Sequence, residues 1–440
     1  MSDTGGLAAP PAVTYPTAYA PPAAPLAGTD LDPPLRALDR HCRELSEGMR
    51  EAGAAVDRDP DAIAGLLHLP AVGFQAQGSL PPEYRDTVAH PAEPVQASAS
   101  SLGWAVTAER LAYGDAGVLL ACPGPSLSGL AVEALADDTQ RAAYYERVTS
   151  APTWTFFGLT EPRKGSAAME LETSLAPGDG DGELVLDGEK RYVGTAARAQ
   201  TGVVFCRRAP GPWGIEAVLL DTAQPGFKAE LLPMVGLRGA RISHIRLTGL
   251  RVRPEQVLGR HRPPSRRGLY GALHVLYRGR PGIAGMALGV TQAVCDYTAA
   301  QRPAMPAAAR SRLDGVLDRA AALRRLVHTV AGEIDRGVVD VPRIGAVKSR
   351  AAALAEETTL LAAELLGPAS LIEHPWLEKA YRDVRAFEYM EGTGAVHRLS
   401  VFHGLVKGGL LGGGQAPAGT GQPYVPTAGV SAGAGARGAR

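Results

Sequence analysis

The sequence predicts an α+β protein with an N-terminal α-helical domain, a small central antiparallel β domain and a C-terminal helical bundle. Three observations carry this expectation. Apolar residues recur at helical spacing near the N-terminus, the middle of the chain breaks into short strand-like runs, and the C-terminal third returns to long Ala/Leu-rich segments bounded by proline or glycine.

Residues 1–30 are rich in Pro, Ala and Thr without a periodic apolar pattern and read as a disordered tail. Residues 31–152 read as helical. Leu35, Leu38, Cys42 and Leu45 share one helix face, and the runs Leu111–Leu120 and Thr139–Arg147 suggest further helices separated by turns. The zone 153–262 changes character. The run Glu183–Val193 reads as a hairpin with Asp187-Gly188 in its turn, and Val203–Cys206, Ala217–Leu220 and Ile245–Leu247 read as further strands. In the zone 263–413, the segments Ala284–Ala300, Leu313–Ile334 and Ile344–Leu366 read as long helices, and Leu276–Pro281 reads as the opening of the first. Residues 414–440 are Gly/Ala-rich and read as a flexible tail.

Composition narrows the function classes. A chain of 440 residues with 45% apolar and 20% charged residues is ordinary for a globular protein. Zero net charge argues against nucleic acid as the main ligand. No run of about 18 or more apolar residues predicts a membrane span, and no basic-then-apolar leader is read at the N-terminus. The four cysteines lie far apart without a C-x-x-C pair, so a reduced cytoplasmic bacterial protein with no metal site is expected. His68, His90, His397 and His403 show no metal-ligand spacing and read as structural or solvated.

Two runs carry chemistry. Residues 381–394 read YRDVRAFEYMEGTG, with Glu391 directly before Gly392-Thr393-Gly394. A carboxylate on a glycine-containing turn beside apolar and aromatic residues can be desolvated into a general base, although a surface turn has the same composition. Residues 157–169 read FGLTEPRKGSAAM. Hydroxyls and glycine-exposed amides in such a run can hydrogen-bond a flavin edge and a phosphate, whereas composition alone reads it as a loop joining a helix to a strand.

Taken together, the two runs and their order resemble the acyl-CoA dehydrogenase family, over roughly residues 100–408. The resemblance implies FAD as cofactor and α,β-dehydrogenation of an acyl thioester carried by CoA or an acyl carrier protein. It implies that Glu391 abstracts the α-proton while flavin N5 accepts the β-hydride. Flavin contacts would fall on Phe157, Leu159, Thr160 and Ser166, on Tyr192, Val193 and Gly194, and on Thr393. Arg302, Arg310, Glu364 and Gly367 would reach the flavin of a second subunit. Substrate contacts would fall on Ser166, Tyr277, Arg280 and Gly392. A homotetramer or homodimer is implied, with an electron-transfer flavoprotein or other electron acceptor as redox partner.

The chain departs from the family pattern at several places. Ala167 stands where an Asp is usual, Gly194 takes a hydroxyl position, and Glu364 replaces a Gln beside a diphosphate unless Arg302 or Arg310 neutralises it. These departures, with Tyr277 in place of a residue that often contacts the acyl carrier, suggest a divergent member making unsaturated acyl units for polyketide or other specialised metabolism, and Arg163 and Lys164 near the expected carrier entrance would suit CoA phosphates or an acidic carrier-protein helix. A flavin monooxygenase or oxidase on the same fold, and a flavin-free homologue, are the alternatives.

Overall fold

The structure is a computed structural model that describes residues 30–86, 90–165, 170–180 and 182–406. Both expected tails lie largely outside these residues, as does Ser166. Helices α1 (Pro33–Leu45), α2 (Met49–Arg58), α3 (Pro70–Gly78), α4 (Ala92–Ala97), α5 (Ser101–Ala121), α6 (Ser126–Leu135) and α7 (Asp138–Ser150) come first. Side-chain caps set the starts of α1, α5 and α7. Asp32 accepts from the Leu35 amide at 3.0 Å, Ser100 accepts from Gly103 at 2.8 Å, and Asp137 and Gln140 form a reciprocal capping box.

The sheet follows, with β1 (Thr155–Gly158), β2 (Ser174–Pro177), β3 (Leu184–Val193), β4 (Thr201–Arg207), β5 (Ile215–Asp221), β6 (Phe227–Leu231), β7 (Ser243–Val252) and β8 (Val257–Leu258). Its order is β6-β7-β3-β2-β4-β5-β8; β1 pairs with β4 in parallel and β2 meets β4 in parallel at Ser174–Arg207, so the sheet is mixed around β4 and antiparallel elsewhere. Alternation along β4 is strict. Val203 and Phe205 face the helices, while Val204 and Cys206 join Leu186, Ile245 and Leu250 in a separate apolar interior.

The expected hairpin at 183–193 is one continuous strand. Asp187-Gly188 makes a bulge in the β3–β7 pairing, with Gly188 at φ +142° and the Asp187 carboxylate accepting from the Gly249 amide at 2.7 Å. A Cβ at 188 would stand 2.6 Å from Thr173 Cα, so glycine is required by a close approach as well as by its φ. The Asp-Gly pair has the chemistry of a turn, but pairing with β2 on one side and β7 on the other keeps the strand running through it.

The chain returns to helix with α8 (Gly268–Gln301), α9 (Ala307–Asp335), α10 (Val341–Leu366), α11 (Ser370–Glu373), α12 (Pro375–Asp383) and α13 (Gly394–Val406). Arg280-Pro281 does not open α8. It lies inside a helix of 34 residues that begins at Gly268. Packing along the whole length of α5 outweighs the hydrogen bond that Pro281 cannot donate. Gly282, Gly285 and Gly289 form a notch on α8. Added Cβ atoms there would overlap the Trp104 indole and the Ala105 and Glu109 carbonyls of α5. Among the described residues no helix is long and apolar enough to cross a membrane.

Three buried ion pairs tie the helices together. Arg110 meets Asp39 at 2.6 Å, Arg324 meets Glu109 at 2.7 Å, and Lys379 lies between Asp115 (2.7 Å) and Asp383 (2.6 Å). Asp115 has non-helical angles inside α5, where its carboxylate accepts from the Val118 amide. Asp383 accepts from the amide of Leu237, which sits in the left-handed region at φ +47°. Burial opposes the charge on Lys379, but the two carboxylates outweigh it and hold its pKa above the ordinary lysine value. Replacing Lys379 by Met should leave two buried carboxylates uncompensated and lower stability by about 3–5 kcal/mol, read as a fall in urea midpoint. A midpoint unchanged from wild type would show that the triad does not hold the fold.

Candidate active site

The loop between α12 and α13 buries Val384 and Phe387 in the helical core and then pins the backbone of the turn that follows. After α12 a short turn leads to Glu391, which adopts φ +53°, and to Gly392 at φ +104°. A left-handed non-glycine residue stores roughly 1–3 kcal/mol of strain and persists only where its surroundings fix it. Three contacts fix it here. Arg280 Nε on α8 donates to the Glu391 carbonyl at 3.0 Å, and Lys348 Nζ on α10 donates to the carbonyls of Glu388 (2.9 Å) and Gly392 (2.7 Å). Glu388 in turn accepts from the Gly394 amide at 2.7 Å, at the start of α13.

The Glu391 carboxyl faces a cavity of about 700 Å³ shared by the helices and the sheet. Burial pushes its pKa above the ordinary carboxylate value, while Arg280 and Lys348 pull the other way. Burial also lowers Arg280, with Glu391 opposing, and lowers Lys348 to about 8. His397 is taken down to about 3, by burial and then by Arg280 and Lys348, so it is neutral near pH 7.

The cavity brings many of the expected residues together. Phe157, Leu159 and Thr160 enter from the end of β1 and the loop after it. Tyr192, Val193 and Gly194 enter from the end of β3, with Tyr192 in the left-handed region at φ +62°. Arg280, Glu391 and Gly392 complete the opposite wall. The first loop is held by a buried pair: Lys190 Nζ lies 2.7 Å from Glu161, which also accepts from the amides of Glu172 and Thr173.

Other expected residues stand elsewhere. Tyr277 is buried in the helical core, its ring 5.6 Å from the Arg280 guanidinium, and does not line the cavity. Thr393 Oγ1 accepts from the Val396 amide at 3.4 Å, in the first turn of α13. Arg302, Glu364 and Gly367 gather where α8 and α10 end, away from Glu391 within one chain, and Arg310 lies in the first turn of α9. Glu364 is neutralised neither by Arg302, which donates to the Leu365 carbonyl, nor by Arg310. It forms a bidentate pair with Arg312 at 2.5 and 2.7 Å, because a helical turn on α9 presents that side chain to α10.

Three residues escaped the sequence reading. Lys348 sits on the buried stripe of α10 with Ile344, Val347, Ala351 and Ala352, so a lysine at core spacing was the available signal. Trp104 lines the cavity and rests on Gly282, a contact across the chain without a local signature. Arg191 also lines the cavity, and its buried Nε has no hydrogen-bond partner among the described residues. Among the described residues no group of three or more His, Cys, Asp or Glu could hold a metal.

Comparison with known proteins places this geometry. Residues 156–250 match the acyl-CoA dehydrogenase middle domain, and residues 266–406 match the acyl-CoA dehydrogenase C-terminal domain. The 3-(aryl)acrylate reductase of Clostridium sporogenes is 29% identical over 308 residues, covering 67% of this chain and 80% of its own. In structure, butyryl-CoA dehydrogenase from Megasphaera elsdenii superposes with a TM-score of 0.73 at 21% identity, over 86% of this chain and 99% of its own. The prolyl acyl carrier protein oxidase AnaB has the same TM-score of 0.73 at 17% identity, over 86% of this chain and 100% of its own. The two structural likenesses establish the fold, and the two matched domains, which together span more than half of the sequence, make this chain a member of the acyl-CoA dehydrogenase family.

Proposed function

We propose that the protein is an FAD-dependent oxidoreductase that dehydrogenates an acyl thioester across its α and β carbons, with Glu391 as the base. The observation that carries this reading is the placement of Glu391, on a strained and doubly pinned turn, across one cavity from the ends of β1 and β3. A flavin fits the residues present. The unpartnered Arg191 Nε offers a donor to a phosphate or a ring carbonyl, Thr160 offers a hydroxyl, and Gly194 leaves space where a side chain would otherwise enter. When bound, FAD supplies the hydride acceptor.

The chain's own residues do the rest. Glu391 takes the α-proton onto its carboxylate. Arg280 holds the backbone of Glu391 so that the carboxylate faces the cavity, and its charge opposes protonation of the base. Apolar walls including Leu159, Val193, Ile283 and Met286 keep water from the reacting carbons. A second copy of the chain would bring Arg302, Arg310, Glu364 and Gly367 to the adenine half of the cofactor, because within one chain they lie away from the cavity. Lys164 lines the cavity beside exposed Arg163, and this basic turn suits either CoA phosphates or an acidic face of an acyl carrier protein. Electrons would leave to an electron-transfer flavoprotein or another acceptor. Unsaturated acyl units for specialised metabolism are the products in view.

The direct test is anaerobic mixing of the purified flavoprotein with panels of acyl-CoA and acyl-carrier-protein thioesters. Bleaching of the flavin band by one panel establishes dehydrogenation and names the carrier; bleaching by neither, in a protein that holds flavin, overturns the reading. Glu391→Gln should keep the yellow colour and lose thioester oxidation by about 10²–10⁴-fold, the contribution of a general base. Turnover retained in that variant would remove Glu391 from the role.

The pH dependence has a definite sign. Glu391 accepts a proton only when ionised, and its pKa is raised, so kcat/KM should climb with pH through a midpoint above the ordinary carboxylate value of about 4.3. Arg280→Gln removes the larger of the two opposing charges and should move that midpoint further up. An acid limb that stays in place in Arg280→Gln would contradict the assignment.

A further inference from the structure

We propose that Lys348 is a positioning residue for the catalytic base: its ammonium clamps the turn that carries Glu391 and supplies a positive charge that keeps Glu391 ionised. The inference rests on the reading of Glu391 as the base. Lys348 is wholly buried on α10, a placement lysine almost never has unless it is paired. Its hydrogen-bond partners are two neutral carbonyls, those of Glu388 and Gly392, which bracket Glu391 in sequence. Among the described ion pairs none includes Lys348, so its charge is not consumed by a carboxylate in contact.

Bridging two carbonyls needs only N–H donors. An uncharged amide would serve, and would avoid the desolvation that drives the lysine down to about 8. What the lysine adds is charge. The ionisable groups facing this spot are Glu388 and Glu391 from the loop, Arg280 from α8 and His397 from α13. Arg280 is permanently cationic and His397 is neutral near pH 7. Glu388 is engaged by the Gly394 amide at the start of α13. Lys348 faces the Glu388 carboxylate as well, and it is the second cation, after Arg280, that offsets the burial of Glu391; it does not line the cavity.

The clamp and the charge are separable by substitution. Lys348→Met removes both, Lys348→Gln keeps a donor without the charge, and Lys348→Arg keeps the charge. In the flavin-loaded enzyme, the acid limb of kcat/KM should shift up by about one pH unit in Met and Gln, and return towards wild type in Arg. Met should also lower kcat on the plateau, where Glu391 is fully ionised, and Gln should lower it less, because only the clamp acts there. A merely structural lysine would lower activity at all pH values and leave the limb where it was; that result, in Met or in Gln if Met does not fold, overturns the proposal. Glu391→Gln separates the two readings. If Glu391→Gln retains turnover, the base assignment falls and takes this proposal with it. If Glu391→Gln is inactive while the limb is unmoved in the Lys348 variants, the positioning role alone falls.

Discussion

The buried ammonium of Lys379 is the contact on which the arrangement of the molecule depends. It draws Asp115 of α5 and Asp383 of α12 to a single point, and Asp383 reaches on to the amide of Leu237 just before β7. Helices from both ends of the chain and the loop entering the last long strand thus share one charge centre. The kink in α5 follows from it, because Asp115 leaves helical geometry to face Lys379 and caps the helix that resumes at Val118. The start of the Glu391 turn is set by the same contact, since Asp383 ends α12 and the chain runs from there directly into the loop.

Around Glu391, the proposed base, opposing forces are balanced closely. An unbalanced buried carboxylate would stay protonated and be useless as a base, whereas one in contact with a guanidinium would be a weak base. Here the guanidinium of Arg280 bonds to the backbone carbonyl of Glu391 and not to its carboxylate. The field is felt, but no charge-assisted bond locks the acceptor oxygens. The same economy appears on the sheet side, where the Lys190–Glu161 pair fixes the loop of Thr160 from behind and leaves its cavity face open.

Much of this was legible in the sequence. The long Ala/Leu-rich run bounded by proline and glycine predicts α10, and the continuous apolar run Val203–Cys206, buried on both faces of the sheet, predicts β4. Glu391 and Thr160 could be picked out because glycine and proline beside them mark the turns. What was not legible depends on distant partners. Asp187-Gly188 has the composition of a turn, and only its neighbours β2 and β7 make it a bulge. Arg280-Pro281 has the composition of a helix boundary, and only the notch against α5 carries the helix through. Arg312, and neither Arg302 nor Arg310, neutralises the Glu364 carboxylate, a choice made by the facing of two helices.

The glycine at 282 sets how this enzyme could diverge. Its missing side chain is the seat of the Trp104 indole, and that indole is a wall of the cavity. A codon change adding a single methyl there would unseat the tryptophan and redraw the cavity, although residue 282 itself does not line it. Selection on the shape of the cavity can therefore act through the helix interface, leaving Glu391, its two neighbouring cations and the ends of β1 and β3 intact.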